Sequence, residues 1–180
     1  MIYAKGVYEA LKEREAEIHL IISGNGGIVM KRELNIGEDY FSSSRVTLYK
    51  NSELCAGVAS GSMDFDAMVI IPCSMATLAA VANGISANLI QRAADVCLKE
   101  RKKLIVVPRE TPLSTVQIRN MLKISESGGV VLPAMPGFYH NPKDLNELSA
   151  FVVFRVLRQM GIDGNVPGFR PFSPEEEKEK

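Results

Sequence analysis

Asp66-Ala-Met-Val-Ile-Ile-Pro72 runs into Cys73-Ser-Met-Ala-Thr77, and Leu104-Ile-Val-Val-Pro108 runs into Arg109-Glu-Thr-Pro-Leu113. These two passages decide the fold. Each apolar run lacks polar alternation, the pattern of a strand buried on both faces. Between them, Ser86 to about Arg101 has helical spacing, with Arg92 and Lys99 seven residues apart and so on one face. A strand, a helix and a second strand within some forty residues form a parallel unit. Each strand delivers a polar cluster at its carboxyl end, where ligands bind in open α/β sheets.

Outward from this unit the alternation continues. Helical spacing covers about 4–15, with Val7, Tyr8 and Leu11 on one side, and a short helix is expected over 26–34. Glu17–Ser23 predicts a strand, Val46–Tyr49 a short one, and 77–83 a helical turn. Beyond Leu113 the pattern predicts a helix over 115–127, a strand over 128–133, a loop over 136–142 and a long helix over 145–160. Strands separated by helices imply an α/β domain, with a mainly parallel sheet covered on both faces. One domain is expected over 1–162, with 163–180 as a C-terminal tail. The chain opens on a helix, where a doubly wound domain ordinarily opens on a strand and a Gly-rich turn. The sequence therefore predicts a sheet from which that first strand and turn are missing.

Composition narrows the function classes. The 180 residues are 46% hydrophobic, with Lys+Arg and Asp+Glu balanced at 21 each. Such a neutral chain has no basic block to suit nucleic acid. No apolar run approaches the roughly 20 residues of a membrane span. The N-terminus lacks the basic-then-apolar layout of a signal peptide, so a cytoplasmic location is expected. Three cysteines without a C-x-x-C pair and two distant histidines assemble neither a disulfide framework nor a metal site, so no metal is expected.

The chemistry-bearing residues follow the strands. Ser74 and Thr77 lie between a strand and a helix, suited to capping or to holding an anion or polar ring edge. Ser23 ends an earlier strand in the same way. Arg92 and Lys99 suit a phosphate or a solvated face equally. Glu110 after a buried strand is a candidate acid/base or, with Arg109, a local ion pair. Tyr139 and His140 occupy a Pro/Gly-bounded loop. Arg155 lies among Val152, Val153, Phe154, Val156 and Leu157, where a cation calls for a phosphate or a structural carboxylate. Cys73 is a conceivable nucleophile, though a small buried residue at a strand end is the commoner case.

The ordered motifs PCSMAT (72–77), NLIQRAADVCLKER (88–101), VPRETPL (107–113), NMLKISESG (120–128) and PAMPGFYHNP (133–142) resemble the flavin prenyltransferases, formerly called aromatic-acid or polyprenyl-hydroxybenzoate decarboxylases. The resemblance spans roughly 2–162. It implies a Rossmann-like, flavodoxin-like fold and FMN as bound flavin. It also implies transfer of a dimethylallyl group from dimethylallyl phosphate to reduced FMN, the prenylated FMN then serving a separate decarboxylase. The resemblance further implies a homo-oligomer, a dodecamer with active sites shared between subunits. By position, Ser23, Ser74, Met75, Ala76, Thr77, Arg92 and Arg109 would contact FMN. Lys99, Arg109, Tyr139 and Arg155 would hold the donor phosphate. Glu110 would be the acid/base, and Glu33 a second active-site acid. Two alternatives remain: a non-enzymatic FMN-binding protein, and a relative of the flavin-dependent cysteine decarboxylases, whose catalytic histidine His19 would have to supply.

Overall fold

Helix and strand alternate along the chain as the apolar spacing predicts, in the computed structural model, which describes residues 1–170. The first part holds α1 (Ile2–Glu13), β1 (Ile18–Ile22), α2 (Gly24–Leu34) and β2 (Val46–Lys50). The middle holds β3 (Ala67–Cys73), α3 (Met75–Ala82), α4 (Leu89–Lys99) and β4 (Lys103–Pro108). The last part holds α5 (Thr115–Glu126), β5 (Val130–Val131) and α6 (Leu145–Met160). The segment read as a helical turn is a full two-turn helix, α3.

β4 is the centre of the molecule. It pairs in parallel with β3 on one side and β5 on the other. Leu104, Ile105, Val106 and Val107 are all at 0% exposure, as an unbroken apolar run requires. Successive strand residues point to opposite faces. Ile105 and Val107 pack with Val7 and Ala10 of α1 and with Val152, Val153, Val156 and Leu157 of α6. Leu104 and Val106 pack with Leu78 and Val81 of α3, Ala94 and Cys97 of α4, and Ile124 of α5. Helices therefore cover both faces. Leu104→Ala should lower stability by about 2–5 kcal/mol, since neighbours on three helices cannot all close on the void. Chemical denaturation against the parent protein measures this.

All described strand pairings are parallel, but they form two sheets rather than one. β1 pairs with β2, Ile18 opposite Val46 through Ile22 opposite Lys50. Among the described residues no ladder joins this pair to β3–β4–β5. α1 connects them instead. Its Tyr8 enters the core with Met30 and Phe41 beside β1, while Val7 and Ala10 enter the core beside β4.

Two further differences have local causes. The strand expected over 128–133 is a two-residue ladder, because the next ladder bond would need an N–H at position 108 of β4 to reach the Leu132 carbonyl, and Pro108 has none. The chain still follows β4: the Leu132 and Ala134 amides donate to the Val106 and Pro108 carbonyls, each at 2.9 Å. The segment after Ile162, expected to be tail, is packed as far as Phe169. Val166 and Phe169 are 6% and 5% exposed within the α1–α6 core, and Arg14 donates to the Asn165 carbonyl at 3.0 Å. The remainder of the expected tail lies outside the described residues.

Candidate functional site

The register of β3 on β4 builds the site. Cys73 is the partner of Pro108, so Ser74 and Arg109 leave neighbouring strands side by side. Adjacent strands are about 4.8 Å apart, which puts the two polar clusters within reach of one ligand. On the far side of β4, the bond from the Ala134 amide to the Pro108 carbonyl places the segment leading to Tyr139 at the same sheet end.

Ser74 caps α3. Its Oγ accepts from the Thr77 amide at 3.2 Å and donates to the Thr77 hydroxyl at 3.0 Å. Capping and ligand binding need not exclude each other here, because the amides of Met75 and Ala76 in the first helical turn have no intrahelical acceptor. Ser23 repeats the arrangement at the end of β1, accepting from the Gly26 amide at 3.1 Å as it caps α2.

Arg109 and Glu110 are both exposed, and among the described residues they form no ion pair with each other. The local ion pair allowed by the sequence is thus not formed. Glu110 instead accepts from the Thr111 amide at 3.2 Å through Oε1, and Oε2 has no partner among the described residues. Arg155 also corrects its sequence reading. Its apolar neighbours Val152, Val153, Val156 and Leu157 point into the core, but Arg155 itself is exposed, since 100° of helical rotation separates successive side chains. It needs no buried counter-ion and has no ion-pair partner among the described residues. Tyr139 is 64% exposed, its ring edge-on to Phe151 at 5.8 Å.

Arg92 and Lys99 share a cavity wall, one whose lining includes none of Ser74, Thr77, Arg109 and Glu110. They line a cavity of about 320 Å³ with Leu54, Cys55, Ser60 and Gly61. Arg92 also contacts Asp95 at 3.5 Å, and Lys99 contacts Glu100 at 3.6 Å. The seven-residue spacing predicted their shared face; the contribution of the 54–61 loop carries no periodicity from which to anticipate it. Glu33 stands exposed on α2, where its carboxylate meets the Met1 amino group.

The thiols and His19 take structural roles. Burial pushes the Cys73 thiol up to about 12 and that of Cys97 up to about 11, so neither presents a thiolate near neutrality. Only Cys55 is exposed. Iodoacetamide on the native protein at neutral pH should therefore label one thiol per chain, at Cys55, as peptide mass mapping would show. His19 sits in β1 with its ring stacked on Tyr49 and Nδ1 2.9 Å from the Tyr49 hydroxyl. That makes it part of a cross-strand pair rather than a residue free for catalysis. No helix among the described residues is long and apolar enough to cross a membrane.

The family model for flavoproteins matches residues 1–156. A flavin prenyltransferase UbiX of Methanocaldococcus jannaschii is 48% identical over 92% of this chain and 90% of its own length. The flavin prenyltransferase UbiX of Pseudomonas aeruginosa is 41% identical over 89% and 83%. Among solved structures, AnUbiX (PadA1) in complex with FMN and dimethylallyl pyrophosphate superimposes with a TM-score of 0.88 at 35% identity, over 93% of this chain and 88% of that one. A dodecameric FMN-dependent UbiX-like decarboxylase from Escherichia coli O157:H7 gives a TM-score of 0.89 at 36% identity, over 95% and 92%. The cypemycin decarboxylase CypD, at 12% identity and a TM-score of 0.58, shares the fold alone.

Proposed function

We propose that this chain, which belongs to the flavin prenyltransferase family of flavoproteins, moves a dimethylallyl group from dimethylallyl phosphate to reduced FMN. The observation that carries this reading is the register of Cys73 on Pro108, which sets the Ser74–Thr77 hydroxyls and amides beside Arg109 and Glu110.

The residues present fit a flavin mononucleotide. Two capped helix starts, at Ser23 and Ser74, offer first-turn amides and hydroxyls to a phosphate or a polar ring edge. Ser23, Ser74, Met75, Ala76, Thr77, Arg92 and Arg109 would hold it. When bound, reduced FMN supplies the electron-rich ring that accepts the five-carbon unit. Lys99, Arg109, Tyr139 and Arg155 take the donor phosphate. The charge that builds on a departing phosphate is stabilised by cations already in position. Glu110 gives a proton to the leaving phosphate oxygen and takes one from the flavin. Glu33 is a second acid at the site.

Arg92 and Lys99 line a cavity that includes neither Arg109 nor Glu110, which fits a site completed by a neighbouring copy. A homo-oligomer, a dodecamer as in the E. coli relative, would supply that copy. The prenylated FMN is a product for a separate decarboxylase, and the setting is cytoplasmic.

Incubating the protein anaerobically with reduced FMN and dimethylallyl phosphate, with dimethylallyl diphosphate in a parallel arm, tests the reading. Flavin bearing one added five-carbon unit is expected by mass spectrometry. Unaltered FMN in both arms would leave only a flavin-binding protein. Carbon dioxide released from a peptide with a C-terminal cysteine would instead make it a cysteine decarboxylase.

A further inference from the structure

His140, the neighbour of Tyr139, carries a bond that its packing alone does not call for. Its ring stacks on Phe151 at 6.0 Å, with 11° between the planes, and meets Phe169 edge-on at 5.0 Å. Nε2 lies 3.3 Å from the Glu147 carbonyl oxygen in the first turn of α6. Nδ1 is buried and has no hydrogen-bond partner among the described residues. Since only Nε2 faces an acceptor, Nε2 carries the proton. A buried, unpartnered ring nitrogen is unfavourable. A phenylalanine would fill the same aromatic slot without it, so packing does not account for a histidine here; the bond to Glu147 does.

That bond holds the 137–142 loop at His140. Glu147 holds the chain again just beyond the loop, its carboxylate accepting from the Lys143 amide at 2.7 Å. Tyr139 immediately precedes the His140 anchor, edge-on to His140 and Phe151 at 5.8 Å each. Behind it, a Cβ added to Gly137 would come within 2.8 Å of the Tyr139 ring, so a methyl there would push the ring out of its place.

We infer that His140 is a positioning residue: by donating from Nε2 to the Glu147 carbonyl it presets the loop so that the Tyr139 hydroxyl receives the donor phosphate. The inference rests on the proposed role of Tyr139. The tests use FMN-loaded enzyme. His140→Phe keeps the aromatic packing and removes the bond; His140→Gln keeps a donor. His140→Phe should raise KM for dimethylallyl phosphate about five- to tenfold, the scale of one lost hydrogen bond, with kcat within about twofold. It should also speed hydrogen exchange of the 137–142 amides. His140→Gln should recover part of both effects, and Gly137→Ala should reproduce the KM effect with His140 intact. In a Tyr139→Phe background, His140→Phe should add nothing to KM. Unchanged loop exchange in His140→Phe overturns the inference, as does a fully additive double variant. Faster loop exchange together with an unchanged KM in Tyr139→Phe would instead overturn the phosphate role of Tyr139, and would leave His140 as the anchor of a loop that does not bind the donor.

Discussion

Glu110→Gln is expected to retain FMN and to lower prenyl transfer by about 10²–10⁴-fold, the usual contribution of a general acid/base. The substitution isolates the proton. Glutamine has the same shape, and its amide oxygen can accept from the Thr111 amide as Oε1 does now at 3.2 Å. Glu110 is exposed and unpaired with Arg109, so no buried charge is orphaned and the fold should be unaffected. The loss should fall on kcat in single-turnover product formation. KM for the donor should change little, because its phosphate is assigned to cations rather than to this carboxylate. Flavin titration followed by absorbance provides the binding control. Full transfer by the glutamine variant would take Glu110 out of the mechanism.

Elements were legible where the physics is local. The β4 strand follows from four consecutive branched apolar residues, and all four are fully buried. α6 follows from its apolar spacing and ends at Gly161, whose φ of 84° suits glycine. The hydroxyl clusters after β1 and β3 were likewise visible, because a serine between a strand and a helix is a cap by composition alone. What joins elements was not legible. No local pattern states that Cys73 lies opposite Pro108, although that register assembles the site. The exposure of Arg155 does not follow from its apolar neighbours, because on a helix these indicate the face beside a residue, not its own. What Arg92 and Lys99 face depends on where α4 packs, and their cavity wall comes from the 54–61 loop, which has no repeating pattern. The packing of Val166 and Phe169 was hidden by the Gly and Pro residues around them, which suggested a loose end.

Arg155→Ala should raise KM for dimethylallyl phosphate about 10- to 100-fold, the range expected for losing charge-assisted bonds to a phosphate. Stability should stay within about 0.5 kcal/mol, since the side chain is exposed and forms no ion pair among the described residues. The two measurements together separate ligand binding from folding. Arg155→Lys keeps the charge but loses the planar fork that can grip two phosphate oxygens, so it should recover only part of the affinity. Salt provides an independent check. The screening length is about 8 Å near physiological ionic strength, so added salt should weaken donor binding by the parent protein. The alanine variant, with one cation fewer, should show a shallower dependence. An unchanged KM in Arg155→Ala would move this guanidinium out of the phosphate site and leave Arg109 and Tyr139 as its only anchors from the same chain.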